Sequence, residues 1–305
     1  MLAIAKKIYS RMLWFFRRFE KSKHLWSKEE LVAGVMNGYK NNHGYEFDIN
    51  APKLFTEKIQ WYKIFYEQSD MVKLVDKYLF KDYIKEKLGE GYTIPLIASW
   101  TDLKSFKKDW ASLPEEFCLK SNIQSDGNFI RIIHNKSQEN FKEIKKEVKK
   151  WLIEKNTLKN SFCRAYYDAK PCIIAEQYLE NVDDQLYDWK VFCFNGEPFC
   201  FYVATNHFGK ENYPITFYDL DWNKLDVTYG NHETENVAKP IHLEEMIELS
   251  RKLSDGFPFI RVDFFETNEN LYLAELTLYP GGGLTPYYPV EFNRKMGELF
   301  QISKC

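Results

Sequence analysis

The chain has 305 residues, of which 45% are hydrophobic, 28% charged and 17% aromatic, a composition that excludes a disordered chain and allows a sizeable core. Its formal net charge of −2 argues against a general nucleic-acid binder, whose affinity depends on a clear excess of basic residues. No apolar run approaches the ~20 residues that span a bilayer. Cysteines without any CxxC pair predict reduced, buried thiols in a cytosolic protein, and four of them lie in strand-like apolar stretches: Cys118, Cys172, Cys193 and Cys200.

Residues 1–20 carry apolar side chains at helical spacing, with lysines and arginines mainly on the other faces. They do not form a secretory signal, because the apolar stretch is short and interrupted by Arg11. One interpretation is a helix lying in the membrane interface, which would hold a cytoplasmic protein at the inner face of the membrane. The other is a helix packed on the domain or on a second subunit, and the sequence leaves both open.

Residues 27–88 are predicted to be mainly helical. A first helix is predicted over residues 27–45, with Ser27 at its start, and an aromatic helix follows over 55–66. One long helix is predicted over 71–88, closed by Gly89. Residues 92–100 are typical of a strand, and Pro95 favours an edge or entry position for it.

The remainder is rich in strands. Short strands over 117–120 and 129–133 flank a polar loop, and Ser137 begins a charged helix that runs to about residue 154. Further strands are predicted over 172–178, 186–194, 199–205 and 215–220, with Asn195-Gly196 as a hairpin turn. A helix over 243–254 ends at Gly256. This order predicts an α+β fold with mostly antiparallel sheets.

The strongest functional pattern is a late hairpin, with strands over 259–265 and 271–277. Its period of two residues brings Arg261, Asp263, Glu275 and Thr277 to one face. Two carboxylates and a guanidinium facing one space are costly to dehydrate, and a hard cation with polyphosphate oxygens would remove that cost. The glycine run 281–283 follows and would allow backbone amides to approach an anion or substrate. The hairpin therefore predicts a magnesium–nucleotide enzyme.

Weaker signals lie earlier in the chain. Lys120 ends a strand beside the polar loop 121–128 and could reach phosphates, and Glu176 closes an apolar strand where it could meet an adenine edge. Asp188 and Lys190 alternate on the next strand, where they suit ribose and phosphate. Each has an ordinary alternative as a solvent-facing strand residue, and Lys77 by itself is an ordinary helix lysine.

The order of these signals resembles the ATP-grasp superfamily. Residues from about 53 to 299 are more closely similar to its teichuronopeptide-biosynthesis branch, which is often encoded with capsule and surface-polysaccharide genes. The phrases that carry this resemblance are FTEKIQW at 55–61, FCFNGEP at 192–198 and FYDLDW at 217–222. It implies an ATP-grasp fold with ATP held between two lobes, in four segments: an N-terminal helical extension (1–50), a substrate-side lobe (51–115), a small lobe (116–180) and a large lobe with the metal site (181–305).

The resemblance also implies roles for individual residues. Nucleotide contacts would come from Lys77, Lys120, the loop residues Ser125, Asp126, Gly127 and Asn128, then Glu176, Tyr178, Leu179, Asp188 and Lys190. Magnesium would be held by Asp263, Glu275 and Thr277, the last standing where related proteins usually have Asn. Arg261, Lys190 and Lys120 would act in catalysis by neutralising charge on the transferred phosphoryl group, with Arg261 facing the oxyanion.

The implied activity is an ATP- and Mg²⁺-dependent carboxylate–amine ligase. Its carboxylate would be a uronic acid of a surface polysaccharide or a small amino acid, and its amine an amino acid or amino alcohol. Aromatic residues at 61–66 and 287–288 suit either sugar stacking or plain core packing. The alternatives are a capsule-pathway glycosyltransferase or polysaccharide kinase, or a non-catalytic nucleotide-binding protein at the membrane surface. The oligomeric state stays open.

Overall fold

A computed structural model describes residues 26–123, 129–153, 162–179, 187–205 and 213–302. The amphipathic segment 1–20 and the loop residues Ser125, Asp126, Gly127 and Asn128 lie outside this range. Within the described part, no helix combines the length and apolar character needed to cross a bilayer.

The first helix, α1 (Lys28–His43), begins and ends where local chemistry directs. Ser27 and Glu30 form a reciprocal capping box at its start, and Gly44, at φ 80°, closes its end. The next helix, α2 (Phe55–Phe65), packs against α1 and buries polar as well as apolar side chains. Both helices confirm the predicted boundaries to within two residues.

The single helix predicted over 71–88 is wrong, because the chain forms two helices, α3 (Met71–Val75) and α4 (Leu79–Leu88). The break is at Asp76, whose Oδ1 accepts hydrogen bonds from the backbone N–H groups of Tyr78 and Leu79. Its Oδ2 accepts a 2.6 Å bond from Asn122 Nδ2. A side chain that caps a new helix start and is itself held by a distant residue outweighs the helical periodicity.

The next part of the chain forms β1 (Leu96–Trp100), α5 (Leu103–Asp109), β2 (Phe117–Ser121), β3 (Ile130–Ile133), α6 (Phe141–Ile153) and β4 (Ile173–Glu176). The four strands form a small antiparallel sheet with the order β1-β4-β2-β3. One of its two edge strands is β1, as Pro95 indicated. Helices α5 and α6 supply the core beneath the sheet, which includes Phe106, Ile144 and Trp151.

Ser137 does not begin the charged helix. It lies in a short 3₁₀ turn, where its hydroxyl and backbone N–H bind Glu115, and α6 starts four residues later at Phe141. The carboxylate of Glu115 therefore competes successfully for the groups that a helix cap would have used.

The rest of the chain forms β5 (Tyr187–Phe194), β6 (Glu197–Thr205), β7 (Ile215–Tyr218), β8 (Thr228–Tyr229), α7 (Leu243–Ser254), β9 (Phe259–Glu266), β10 (Leu271–Thr277), β11 (Tyr287–Tyr288) and α8 (Val290–Leu299). Five of these strands form a large antiparallel sheet with the order β10-β9-β5-β6-β7. Asn195 and Gly196, at φ 50° and 85°, form the predicted hairpin turn between β5 and β6. Helix α7 packs on this sheet and α8 packs on α2.

Among the aromatic residues considered for sugar stacking, two lie in the buried core, while Trp61 and Tyr66 are partly buried and pack against it. Tyr62 and Tyr287 are buried, whereas Tyr288 is exposed to 55% of its maximum. The described cysteines are free thiols, and all but Cys118 are buried.

Candidate nucleotide and metal site

The late hairpin places its polar residues on one face by means of a β-bulge. Glu275 pairs with Asp263 and Thr277 with Arg261, but the register shifts between Leu273 and Glu275. Without that shift, simple alternation would put Glu275 on the same face as the buried Leu273. The bulge turns the end of β10 over, so that Glu275 and Thr277 join the two residues of β9.

Asp263 is held by two cations. Arg261 binds it in a fork, with Nε 2.7 Å from Oδ1 and Nη2 2.6 Å from Oδ2. Lys190, which lies opposite Asp263 on β5, places Nζ 3.0 Å from the same Oδ2 and also pairs with Asp188. Three charge-assisted hydrogen bonds from these two cations fix the position of the buried carboxylate in the sheet.

Glu275 is joined to the same group of residues. Lys77 Nζ lies 3.2 Å from its Oε2, and the Thr277 hydroxyl donates to its Oε1 at 3.4 Å. Arg261 Nη2 donates in turn to Thr277 Oγ1 at 3.1 Å. A continuous path of contacts therefore runs from Lys77 to Asp188, with three cations balancing three carboxylates.

The carboxylate of Glu275 stays ionised in this setting. Burial by itself would raise the pKa of Glu275, but Lys77, Arg261 and Lys190 outweigh burial and hold that pKa below its ordinary value. For Lys190, burial alone would lower the pKa, but Asp188 and Asp263 raise it. Glu275 and Lys190 are therefore charged near neutral pH, whereas burial raises the pKa of Asp263 by more than Arg261 and Lys190 lower it.

A second charged group lies on the small sheet. Lys120 on β2 and Glu176 on β4 share a face and form an ion pair. Lys81, on the first turn of α4, places Nζ 2.5 Å from the other Glu176 oxygen. Burial would raise the pKa of Glu176, but the ammonium groups of Lys120 and Lys81 hold it below its ordinary value.

The two charged groups face the same space. Lys77 connects them, since its backbone N–H donates to Asn122 O at 2.9 Å, just beyond β2, while its side chain binds Glu275. Burial alone would lower the pKa of Lys120, yet Glu176 and Glu275 are both close enough to raise it. Lys120 of the small sheet and Glu275 of the large sheet therefore lie close enough to interact electrostatically.

The structure brings most of the predicted site residues together and adds residues that the sequence reasoning missed. Tyr178 and Leu179 follow β4 and are half-buried, with the Tyr178 ring 4.9 Å from that of His134. Lys81 was missed, although its spacing of four residues from Lys77 was a usable signal. Tyr166 and Tyr202 were missed without any such signal. Burial and then Glu275 raise the pKa of Tyr166, and Arg261 lies 5.9 Å from the ring centre of Tyr202.

The donor set suits magnesium. Asp263, Glu275 and Thr277 offer hard oxygen atoms, the type that Mg²⁺ prefers in proteins. In the described ranges no three side chains among His, Cys, Asp and Glu gather into a metal site, so phosphate and water oxygens would have to complete an octahedral shell. That arrangement is how Mg²⁺ is ordinarily bound together with a nucleotide.

Two antiparallel sheets that bring lysines and acidic residues close together define an ATP-grasp protein. Residues 57–301 match the sequence model of the family described as TupA-like ATPgrasp, and the chain belongs to that family.

Solved structures with a similar fold include D-alanine–D-alanine ligase from Helicobacter pylori, at 15% identity and a TM-score of 0.46, over 74% of this chain and 61% of that one. N5-carboxyaminoimidazole synthetase from Staphylococcus aureus, in complex with ADP, matches at 19% identity and a TM-score of 0.38, over 67% of this chain and 44% of that one. D-alanine–D-alanine ligase from Bacillus anthracis with ATP matches at 14% identity and a TM-score of 0.39, over 73% of this chain and 62% of that one. The chain thus spans less than two thirds of the length of each. No curated protein matches it.

Proposed function

We propose that the protein is an ATP- and Mg²⁺-dependent carboxylate–amine ligase that forms an amide through an acylphosphate. The observation that carries the proposal is that Lys77 and Lys120 both lie close to Glu275, where we place the nucleotide cleft between the two sheets. Phosphoryl transfer requires cations around the transferred group and carboxylates for the metal, and this cleft has both.

Each group of residues in the proposed site has its own role. Asp263, Glu275 and Thr277 would hold Mg²⁺, which supplies a charge that polarises the phosphoryl oxygens. Lys120 and Lys81, on either side of Glu176, suit the nucleotide end of the cleft, and Glu176 suits the adenine amino group. Lys190 and Lys77 suit phosphate oxygens once a nucleotide competes with their present carboxylate partners. Tyr178, Leu179 and Asp188 are proposed to complete the nucleotide contacts.

The proposed reaction has two steps. A carboxylate oxygen of the substrate bonds to the γ-phosphorus as the bond from that phosphorus to ADP breaks. An amine then attacks the acyl carbon, loses a proton and expels phosphate, which leaves an amide. Arg261 neutralises the oxyanion that develops in the second step, since preorganised charge at that position lowers the barrier.

For the substrate class we propose a uronic acid of a capsular or surface polysaccharide and an amino acid or amino alcohol. Membership of the TupA-like family supports this choice. The buried aromatic rings of Tyr62 and Tyr287 do not add to it, because they pack in the core. The proposed location is the cytoplasm, with residues 1–20 as a contact to the inner membrane face.

The decisive experiment is a screen for ADP release in which uronic acids are crossed with amino acids and amino alcohols, with product masses determined directly. A ligase gives a product heavier than the carboxylate by the amine minus water. A phosphomonoester product would instead identify a kinase, and turnover of a nucleotide sugar without ATP would identify a glycosyltransferase. Absence of ADP release with every pair would favour a nucleotide-binding protein without catalysis.

A further inference from the structure

The glycine run after β10 is held by a side chain of α2. Gln60 is fully buried, and its Nε2 donates to the carbonyl of Gly282 at 2.9 Å and to that of Gly283 at 3.0 Å. The run begins four residues after Thr277 on the same chain segment. Its position is therefore set at one end by the candidate metal ligands and at the other by α2.

The backbone of this run favours glycine at each of its three positions. Gly281, Gly282 and Gly283 all have left-handed φ values, at 54°, 60° and 64°. A Cβ atom on Gly283 would lie 2.5 Å from Gln60 Nε2, so the side chain of Gln60 lies directly against the backbone. We call residues 280–284 the glycine loop, and its contacts show that it is a packed element of the fold.

Lys63 determines which way Gln60 faces. Its Nζ donates to Gln60 Oε1 at 3.0 Å, and an ammonium group can only donate, so the amide nitrogen must face the two carbonyls. Lys63 is 2% exposed, and in the described part of the chain no carboxylate forms an ion pair with it. Burial lowers the pKa of Lys63. A buried ammonium group without a carboxylate partner costs free energy of folding, and a methionine at this position would avoid that cost.

A second helix reinforces the same point. His43, at the end of α1, places Nε2 3.2 Å from the Gly283 carbonyl, with its ring stacked on Tyr39. In a trans peptide the N–H is directed opposite to the carbonyl. Because the Gly282 carbonyl is turned toward Gln60, the N–H of Gly283 is directed away from α2.

We propose that Gln60 and Lys63 are positioning residues, which hold the glycine loop in the orientation that the acyl substrate requires. They act through the loop backbone, and none of their hydrogen bonds described above involves Glu176 or its partners Lys120 and Lys81. The consequence for turnover rests on the proposed function. The consequence for the loop itself does not, and it can be measured without substrate.

The test uses hydrogen–deuterium exchange of the backbone amides at residues 279–286 in the full-length protein. In Q60E the introduced carboxylate can still accept from Lys63, but it cannot donate to the two carbonyls and repels them. In K63M the amide of Gln60 loses the contact that orients it. Q60E loses two neutral hydrogen bonds to the loop and K63M loses one charge-assisted hydrogen bond, so we expect about tenfold faster exchange of the loop in each variant.

K58M is the matched control. Lys58 lies on the same helix and also donates to backbone carbonyls, those of Gly297 and Phe300, which belong to the end of α8 and not to the glycine loop. We expect K58M to leave exchange at 279–286 within about twofold of the parent. Equal exchange at 279–286 in K63M and K58M would overturn the proposal. If K63M fails to fold, Q60E carries the same comparison, because it preserves the shape of the side chain.

A kinetic split separates positioning from general destabilisation. With a substrate pair from the ADP-release screen, Q60E should leave the KM for MgATP within about twofold and lower kcat/KM for the carboxylate about tenfold. Equal losses for both substrates would contradict the positioning role. Faster loop exchange without any ADP release in the parent protein would support the role of Gln60 in the loop and reject the ligase function.

Discussion

Lys77 Nζ lies 3.2 Å from Glu275 Oε2, so the break between α3 and α4 is joined directly to the last strand of the large sheet. The backbone of Lys77 is at the same time bound to Asn122 at the end of β2. One residue therefore connects both sheets across the proposed cleft. The arrangement makes the candidate metal ligands and the candidate phosphate contacts parts of a single electrostatic unit.

The carboxylates of this unit should be essential for turnover. We expect D263N and E275Q to reduce ADP release at least about a hundredfold, because each removes a metal ligand while preserving side-chain shape. Steady-state ADP release measures the effect, and circular dichroism shows whether the fold is intact. Unreduced turnover in both variants would contradict the assignment of the metal site.

Magnesium and nucleotide should bind cooperatively. In the structure Lys77 pairs with Glu275, while Arg261 and Lys190 pair with Asp263, so these cations oppose a metal ion that binds alone. A nucleotide would draw the same cations to its phosphates and release the carboxylates. Calorimetry should show at least about tenfold tighter Mg²⁺ binding with ADP present than without it. EDTA should weaken ADP binding by the same factor, and independent binding of the two would contradict this prediction.

Lys81 should contribute to nucleotide binding although the sequence reasoning did not include it. Its ammonium group shares Glu176 with Lys120, and its removal takes away one buried cation. We expect K81M to weaken MgADP binding about tenfold, as measured by calorimetry. K85M is the control, since Lys85 is an exposed residue of the same helix paired with Glu90. Equal affinities in the two variants would place Lys81 outside the site.

The pH dependence of stability should reflect Glu176. Its folded-state pKa lies below the ordinary value of 4.5, because Lys120 and Lys81 outweigh the effect of burial. The stabilisation is therefore complete above pH 4.5 and is lost as the pH falls from there through the folded-state pKa.

Denaturant unfolding of the parent and of E176Q tests this sign. E176Q should be less stable near neutral pH by about 3 kcal/mol, because two buried ammonium groups lose their partner. Below pH 4.5 its free energy of unfolding should fall less steeply than that of the parent, by up to about 1.4 kcal/mol per pH unit. Identical slopes would show that Glu176 does not titrate with a lowered pKa.

Much of the fold could be predicted from local pattern. The strands over 117–120, 129–133 and 259–265, the turn at Asn195-Gly196 and the cap at Ser27 all follow from chemistry within a few residues. The helix predicted over 71–88 failed because its break depends on Asn122, which is distant in sequence. Ser137 failed as a helix cap for a similar reason, because Glu115 binds it from outside the helix.

The polar residues of α2 show the same division. Local pattern predicts the helix, but it does not reveal that Gln60 and Lys63 are buried. The partner of Gln60 is the glycine loop, more than two hundred residues later, and Lys63 in turn binds Gln60. The sequence pattern predicted that Arg261, Asp263, Glu275 and Thr277 share a face, but it did not predict the bulge in β10. A bulge depends on how two strands pair, and the burial of a helix residue depends on which other element covers it.

By itself, the sequence determined the chemical inventory of the site: two carboxylates and an arginine on a hairpin, lysines at strand ends, and three consecutive glycines. Only the tertiary structure decided that Lys77 serves Glu275, that Lys81 joins Glu176, and that α2 holds the glycine loop. The physical reason is the distance along the chain over which each kind of interaction acts. Alternation, capping and turn formation act over a few residues, whereas the energy of a buried charge depends on which distant group comes to lie beside it.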